Sequence, residues 1–457
     1  MTAASKSTAP EPADRLTRRQ VWAQSWPIMA ALASTPMVGV VDTAVIGRTG
    51  DTNALAAVAL GATIIGFIFW AFGFLRMGAT GLTAQAYGAK DISEVQSLLA
   101  RSALVGFALG MMILVVSPLL DIGAFALLSA ETAVETTAAT YTQARFWGAP
   151  AALMVYGATG WLLGLGRSRE TLILQLFTNA ANAGFDVLFV WRFDMGAAGV
   201  GAGTALAEWL AAGLAAVICL RVVARQGGWA SGALSWSAIA APERLRRMAV
   251  VNSDIMVRTL ALLLLFAWFT NSGARLGETQ LAANHVLLQL LAISAFALDA
   301  FAFTAEARVG AAVGAGSIAD LRRAIRLTSE FAITAGAGLS ALMFLAGGPV
   351  IDYLIRAPDA AQIAKAYLPL AALVPLLGAP AWMLDGVFIG ATRSRELRNS
   401  AILATGLYIA LDLSLRGHGN LGVWLAMTAS YGLRAAPLAF FYPRIERDLT
   451  EVGADGV

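Results

Sequence analysis

The amino-acid sequence predicts an all-α integral membrane protein: twelve transmembrane helices in two six-helix lobes related by a parallel internal repeat. Three observations predict it. Of 457 residues, 58% are hydrophobic and only 13% charged, with a mean hydropathy of +0.68, whereas soluble domains carry roughly 25% charged residues. So little polar surface would not keep a water-soluble globule dispersed. The chain also contains twelve apolar stretches, each close to the ~20 residues needed to cross a bilayer. Finally, sequence blocks of the first half recur in the second at a constant offset.

The elements follow in order. Residues 1–20 are polar, with Pro10, Pro12, Arg15, Arg18 and Arg19. They lack the apolar core and cleavage site of a signal peptide, so they read as a cytoplasmic tail ahead of a retained first helix. An N-lobe, 21–225, holds segments at 21–46, 55–80, 97–119, 138–164, 170–191 and 197–220. Pro27, Pro36 and Pro150 fall inside these spans, where neighbouring helices re-satisfy the backbone. A basic cytoplasmic loop, 226–247, leads to a C-lobe, 248–445, with segments at 248–272, 280–307, 325–348, 362–389, 397–415 and 421–442. Pro375 and Pro380 interrupt its fourth segment. Residues 446–457 read as a cytoplasmic tail.

An even number of spans puts both termini on one side. With the N-terminus inside, inside segments carry 22 Lys and Arg and outside loops six: Arg48, Arg192, Arg275, Arg356, Lys365 and Arg416. Positive residues accumulate on the cytoplasmic side, so both termini are expected there, in the inner (plasma) membrane.

The repeat runs at an offset of 226 residues. Gly160-Trp-Leu-Leu-Gly-Leu-Gly-Arg-Ser-Arg-Glu170 matches Gly386-Val-Phe-Ile-Gly-Ala-Thr-Arg-Ser-Arg-Glu396, Gly88-Ala89 falls on Gly314-Ala315, and Asp186 on Asp412. Gly50-Asp-Thr52 matches Gly277-Glu-Thr279 one residue out of step. Each half has an even number of spans, so the repeat is parallel and its axis lies along the membrane normal. Two such bundles about a cleft form the architecture of an alternating-access carrier. The charges do not follow the repeat. Asp42 aligns with Phe269 or a neighbour, and Asp299, Glu306 and Asp385 align with Gly73, Thr80 and Thr159.

An acidic residue within a spanning helix costs at least ~2.5 kcal/mol on insertion scales. Asp42 lies in segment 1. Asn182 and Asp186, four apart, share one face of segment 5, and Thr204 in segment 6 adds a hydroxyl. Two carboxylates in one desolvated pocket disfavour double ionisation, which suits the set Asp42, Asn182, Asp186 and Thr204 to exchanging H⁺ or a small cation. In the second half, Arg258, Asp299 and Glu306 are expected to form a buried ion network, with Asp385 opening the repeat motif of segment 10. Arg76 and Arg145 read as fastening helices to the cytoplasmic face or to each other, and Asp412 as a partner of Arg416. Met37, Phe67, Trp70 and Met154 are candidates for a greasy, adaptable cleft.

Several classes are excluded. A net charge of +3 gives no nucleic-acid footprint. One cysteine, Cys219, forms no internal disulfide, and two histidines with it are too few for a structural zinc site. No phosphate-binding loop or dinucleotide fingerprint is present, so no cofactor and no enzymatic activity are expected, and transport would run on an ion gradient. A monomer in the lipid bilayer is expected.

The motifs Trp26-Pro27, Pro36-Met-Val-Gly-Val-Val-Asp42-Thr-Ala-Val-Ile-Gly47 and Leu75-Arg76-Met-Gly-Ala-Thr-Gly81-Leu-Thr-Ala-Gln85-Ala-Tyr-Gly88-Ala-Lys90 resemble the multidrug and toxic compound extrusion (MATE) transporters, in their DinF-like branch. So do Asn252-Ser-Asp254-Ile-Met-Val-Arg258, Leu298-Asp299-Ala-Phe-Ala-Phe303 and Leu384-Asp385-Gly-Val-Phe-Ile-Gly390. The resemblance implies a two-lobe antiporter that exports amphiphilic organic cations, drugs among them, against H⁺ or Na⁺. It also implies that Asp42 is central to coupling, with Asn182, Asp186 and Thr204 at the N-lobe cation site. Where some members carry a tyrosine one turn before the acid, this chain has Val38. A lipid or lipid-linked precursor flippase of the same superfamily architecture is the alternative reading; such flippases typically carry a more basic cavity, against which the acidic residues here argue.

Overall fold

A computed structural model describes residues 15–128 and 130–454. The first fourteen residues of the N-terminal tail, Lys6 included, and the last three of the C-terminal tail lie outside the described residues. The N-lobe contains α1 (Arg18–Ser34), α2 (Pro36–Gly47), α3 (Thr52–Ala71), α4 (Phe74–Gly88), α5 (Ile92–Leu127), α6 (Thr132–Phe146), α7 (Ala149–Gly164), α8 (Ser168–Asp186) and α9 (Gly196–Arg225). The short α10 (Trp236–Ile239) precedes a C-lobe of α11 (Pro242–Ala274), α12 (Glu278–Gly314), α13 (Ile318–Leu354), α14 (Pro358–Gly390), α15 (Ser394–Leu415) and α16 (Asn420–Ala454).

Joined across their kinks, these helices make twelve membrane-length rods, and the kinks fall at residues that explain them. Pro36 has no N–H to continue the ladder of α1, so the rod breaks into α1 and α2 at Thr35. α3 meets α4 at Phe72-Gly73, and α6 meets α7 at Trp147-Gly148, just before Pro150. α8 runs into one π-helical turn, Val187–Arg192. The six C-lobe rods are unbroken helices. Among the described residues, nine rods are long and apolar enough to span a bilayer on composition alone. The other three are less uniformly apolar, and carry Arg145, Asp412 and Arg434.

The rods extend past the apolar segments at both ends. α11 begins at Pro242, inside the stretch read as loop, with proline at a position whose N–H needs no helical partner. α16 continues to Ala454 through most of the stretch read as a tail, because Ile445 and Leu449 are buried there. The inter-lobe loop is docked rather than free. Arg101 on α5 is 1% exposed and donates to the carbonyls of Ala238 (2.8 Å) and Ile239 (3.0 Å) at the end of α10. Gln96 donates to the Gly228 carbonyl and Ser97 to that of Ala233.

The repeat is visible as contacts. Gly88 on α4 packs on the backbone of Ala311, and Gly314 on α12 packs on the backbone of Gln85, the matching residue 226 earlier. A Cβ at either glycine would strike main chain. Gly160 lies against Arg76 and Gly386 against Ala302, again an equivalent pair. The α4–α12 crossing is the seam between lobes, and one apolar core runs through it from Phe74 and Leu75 to Ile255, Val309, Phe388 and Ile389. Cross-lobe hydrogen bonds of Arg308 to Gln24, Ser25 with Thr304 and Gln85 to Thr392 lie near the same end. The lobes therefore meet at the end that carries the termini. They enclose a cavity of ≈ 750 Å³ reaching towards His285 and Gln289, near the opposite end of α12.

Candidate functional site

Two polar assemblies lie inside the protein. In the N-lobe, α2 supplies Asp42, α8 supplies Asn182 and Asp186, and α9 supplies Thr204, all buried. The Asn182 amide nitrogen lies 3.4 Å from an Asp42 oxygen, 3.1 Å from an Asp186 oxygen and 2.8 Å from the Thr204 hydroxyl. It faces three acceptors with two hydrogens. Thr204 itself donates to the Val200 carbonyl. Asp186 Oδ1 and Asn182 Oδ1 are buried without a hydrogen-bond partner among the described residues. Gly203 makes this closeness possible: a Cβ there would lie 2.5 Å from Asp186 Oδ1. The four residues singled out in the sequence are thus one cluster.

Beside it, Arg145 of α6 pairs with Glu208 of α9 at 2.8 Å, and its guanidinium lies 5.3 Å from the Phe69 ring centroid. Arg145 fastens two helices, as expected, but deep within the lobe. Its partner Glu208 carried no motif in the sequence.

The second assembly forms the floor of the central cavity. Arg258 of α11 pairs with Asp385 of α14, and Asp385 also accepts from Arg434 of α16 at 2.8 Å. Glu306 of α12 pairs across the lobes with Arg76 of α4 at 3.0 Å. The expected Arg258, Asp299 and Glu306 do lie together on this cavity, but the direct ion pairs are Arg258 with Asp385 and Glu306 with Arg76. Asp299 and Glu306 are seven residues apart, about 10 Å along the same helix, and only Glu306 makes a direct ion pair among the described residues. Asp299 lines the cavity with no ion pair within reach among the described residues. Arg76 fastens α4 to α12, one of the two expected roles, and does so on the wall of this cavity rather than at the cytoplasmic face.

Arg434 went unnoticed in the sequence, although a signal existed. The loop count accounts for all of the 32 Lys and Arg except Arg76, Arg145, Arg258 and Arg434. Those four are the arginines of the interior ion pairs. Asp412 also differs from expectation. It is buried, and accepts from Trp268 Nε1 and Ser272 Oγ, each at 2.9 Å, rather than from Arg416. Of the greasy candidates, Trp70 lines the cavity. Met37 and Phe67 are exposed and Met154 is half-buried, and none of the three lines the cavity. Lipid and an apolar cleft are equally welcoming to such side chains, so composition does not distinguish them.

The MatE family model matches residues 27–188 and 255–413, once in each lobe. The chain belongs to the MatE family. It is 36% identical over 440 residues to the DNA damage-inducible protein F of Escherichia coli, covering 94% of this chain and 93% of that protein. It is 24% identical to a probable multidrug resistance protein NorM of Shewanella oneidensis, over 91% and 92% of the two chains. Among solved structures, the Vibrio cholerae MATE transporter VcmN in its bent form superposes with a TM-score of 0.85 at 19% identity, over 94% of this chain and 97% of that one. A MOP superfamily transporter from Pyrococcus furiosus, described as having a binding pocket of reversed polarity, gives 0.80 at 17%, over 94% and 96%. As a MatE protein the chain is a multi-pass membrane transporter of small molecules and not an enzyme.

Proposed function

We propose that this protein is a secondary antiporter of the inner membrane that exports amphiphilic organic cations against H⁺ by alternating access. One observation carries the reading: two buried carboxylates, Asp42 and Asp186, meet at the single Asn182 amide. The nearby guanidinium, Arg145, is already paired with Glu208. Two like charges in one desolvated pocket repel, and a single proton removes one of them. On its own helix Asp42 has Val38 and Val45 one turn to either side and few neutral ligands for a sodium shell, and burial favours the protonated acid, which supports a proton as the exchanged ion.

The cluster does not line the central cavity, so proton and substrate occupy different places and are coupled through helix movement. Positive-inside topology places the joined end of the lobes in the cytoplasm, and the cavity then faces outwards. Its floor supports a cation rather than a lipid-linked anion as cargo. Arg76, Arg258 and Arg434 are balanced by Asp299, Glu306 and Asp385. The balance leaves no basic excess to hold a phosphate.

Everted vesicles test the reading with ΔpH and ΔNa⁺ imposed in turn. An acidic interior is expected to drive ethidium uptake without Na⁺, and Asp42→Asn to abolish it. Uptake that requires Na⁺ and ignores ΔpH would overturn the proton assignment.

A further inference from the structure

Within the cavity, one ion pair crosses from lobe to lobe, and it has the form of a bound ligand. Arg76 Nη1 donates to Glu306 Oε2 at 3.0 Å and Nη2 reaches Oε1 at 3.4 Å. The same guanidinium lies 3.6 Å from the Phe303 ring centroid. Phe303 and Glu306 are three residues apart on α12 and share one face. The C-lobe thus presents an aromatic plate and a carboxylate, and a planar, delocalised cation from the other lobe sits on both. The pair is not inherited from the repeat, because Arg76 corresponds to Ala302 and Glu306 to Thr80. The remaining cavity arginines, Arg258 and Arg434, are both held by Asp385 within the C-lobe.

We propose that Arg76 is a tethered stand-in for the transported cation, and that a planar organic cation loads by displacing it from Phe303 and Glu306. The inference rests on the cation-antiport reading and adds the seat and the event that loading triggers. Exchange suits the site energetically. Glu306 is 2% exposed in its side chain, and a buried carboxylate stripped of its partner is strongly destabilising. One planar cation replacing another never leaves it unpaired, and the ring accepts either through its π-face. Released Arg76 swings into the open cavity, and the lobes lose a charged tie beside their seam. Binding and unfastening are then one step, and export ends by running it in reverse: Arg76 regains Glu306 as the joined end closes, and the cation leaves into the outward-facing cavity.

The test uses the full-length protein in nanodiscs, in a Cys219→Ser background, with two readouts. Ethidium fluorescence anisotropy reports binding. Spin labels at Ala89→Cys and Ala315→Cys, both exposed and flanking the α4–α12 crossing, report lobe separation. Arg76→Ala is expected to bind ethidium about ten-fold more tightly, since the internal competitor is gone, and Glu306→Gln about ten-fold more weakly. Arg76→Lys, which keeps the charge but stacks less well, is expected to show a smaller gain and stands in if the alanine variant fails to fold. The label distance should widen with ethidium in the parent protein and without it in Arg76→Ala. If the parent binds and transports ethidium but neither Arg76 variant gains affinity, or the distance ignores ethidium, the displacement proposal is wrong and the antiport reading stands. If the parent binds no organic cation in any arm, the antiport reading fails and the displacement proposal with it.

Discussion

Asp42 and Trp268 occupy equivalent places 226 residues apart, as do Asp186 and Asp412, and the two pairs show how one scaffold holds two chemistries. In the N-lobe, carboxylate faces carboxylate through Asn182. In the C-lobe the equivalent contact is an indole N–H donating to a carboxylate, with Ser272 as a second donor. A carboxylate satisfied by two neutral donors has no like charge to relieve. Asp412→Asn is therefore expected to keep transport near parental levels while costing about 1 kcal/mol of stability, seen as a small drop in the thermal midpoint. Asp186→Asn is expected to do the reverse. It should insert and fold, because the amide keeps the shape, yet lose most ΔpH-driven ethidium uptake. Normal uptake in that variant would reduce Asp186 to a structural residue.

The helices and turns repeat their backbone more faithfully than their residues. The helix-ending position that is Lys90 in the N-lobe, with φ 60°, is Gly316 in the C-lobe, with φ 66°. Conversely, Gly166 (φ 72°) corresponds to Thr392 (φ 52°). A left-handed residue after a helix is ordinarily glycine, so half of these turns give no glycine signal in the sequence, and only the offset reveals them. The inter-lobe loop is a second case. Its composition reads as a flexible basic linker, yet Arg101 binds it through two carbonyls at the end of α10 and through Glu94, which also pairs with Arg244. Arg101→Ala is expected to cost about 3 kcal/mol and to free the segment. Faster tryptic cleavage at Arg225 and Arg244, with the lobes themselves still resistant, would be the signature. Unchanged cleavage would mean that the remaining bonds of Gln96 and Ser97 suffice.

At the scale of the whole molecule, the seam is a crossing of α4 and α12 so close that only glycine fits at 88 and 314. Gly314→Val places two methyl groups against the main chain of Gln85, which cannot yield. The lobes are expected to part at that end, raising label separation across the crossing and removing most of the transport rate. A rate close to the parent's would show that the contact is not needed for closure. Topology is tested separately. A tag after Val457 should be reached only from the cytoplasm and one beside Asp359, exposed in the first turn of α14, only from outside. The opposite labelling would invert the direction of transport inferred from the 22-to-6 distribution of positive residues.

The sequence by itself determined the environment, the lobes, their parallel repeat and the four N-lobe polar residues. Each depends on quantities carried along the chain: apolar length against bilayer thickness, a constant offset, and a spacing of four that puts Asn182 and Asp186 on one helix face. What the tertiary structure decided was partnership across helices. Arg258 belongs to Asp385, Arg76 to Glu306, Arg145 to Glu208, and Arg434 joins them. Helical periodicity says which side chains share a face but not which neighbouring face they meet. In a membrane, where lipid and protein interior are alike apolar, hydrophobicity does not say which faces are turned inward. Trp70 lines the cavity while Phe67, three residues earlier on α3, does not. That distinction arises only once the lobes are packed against each other.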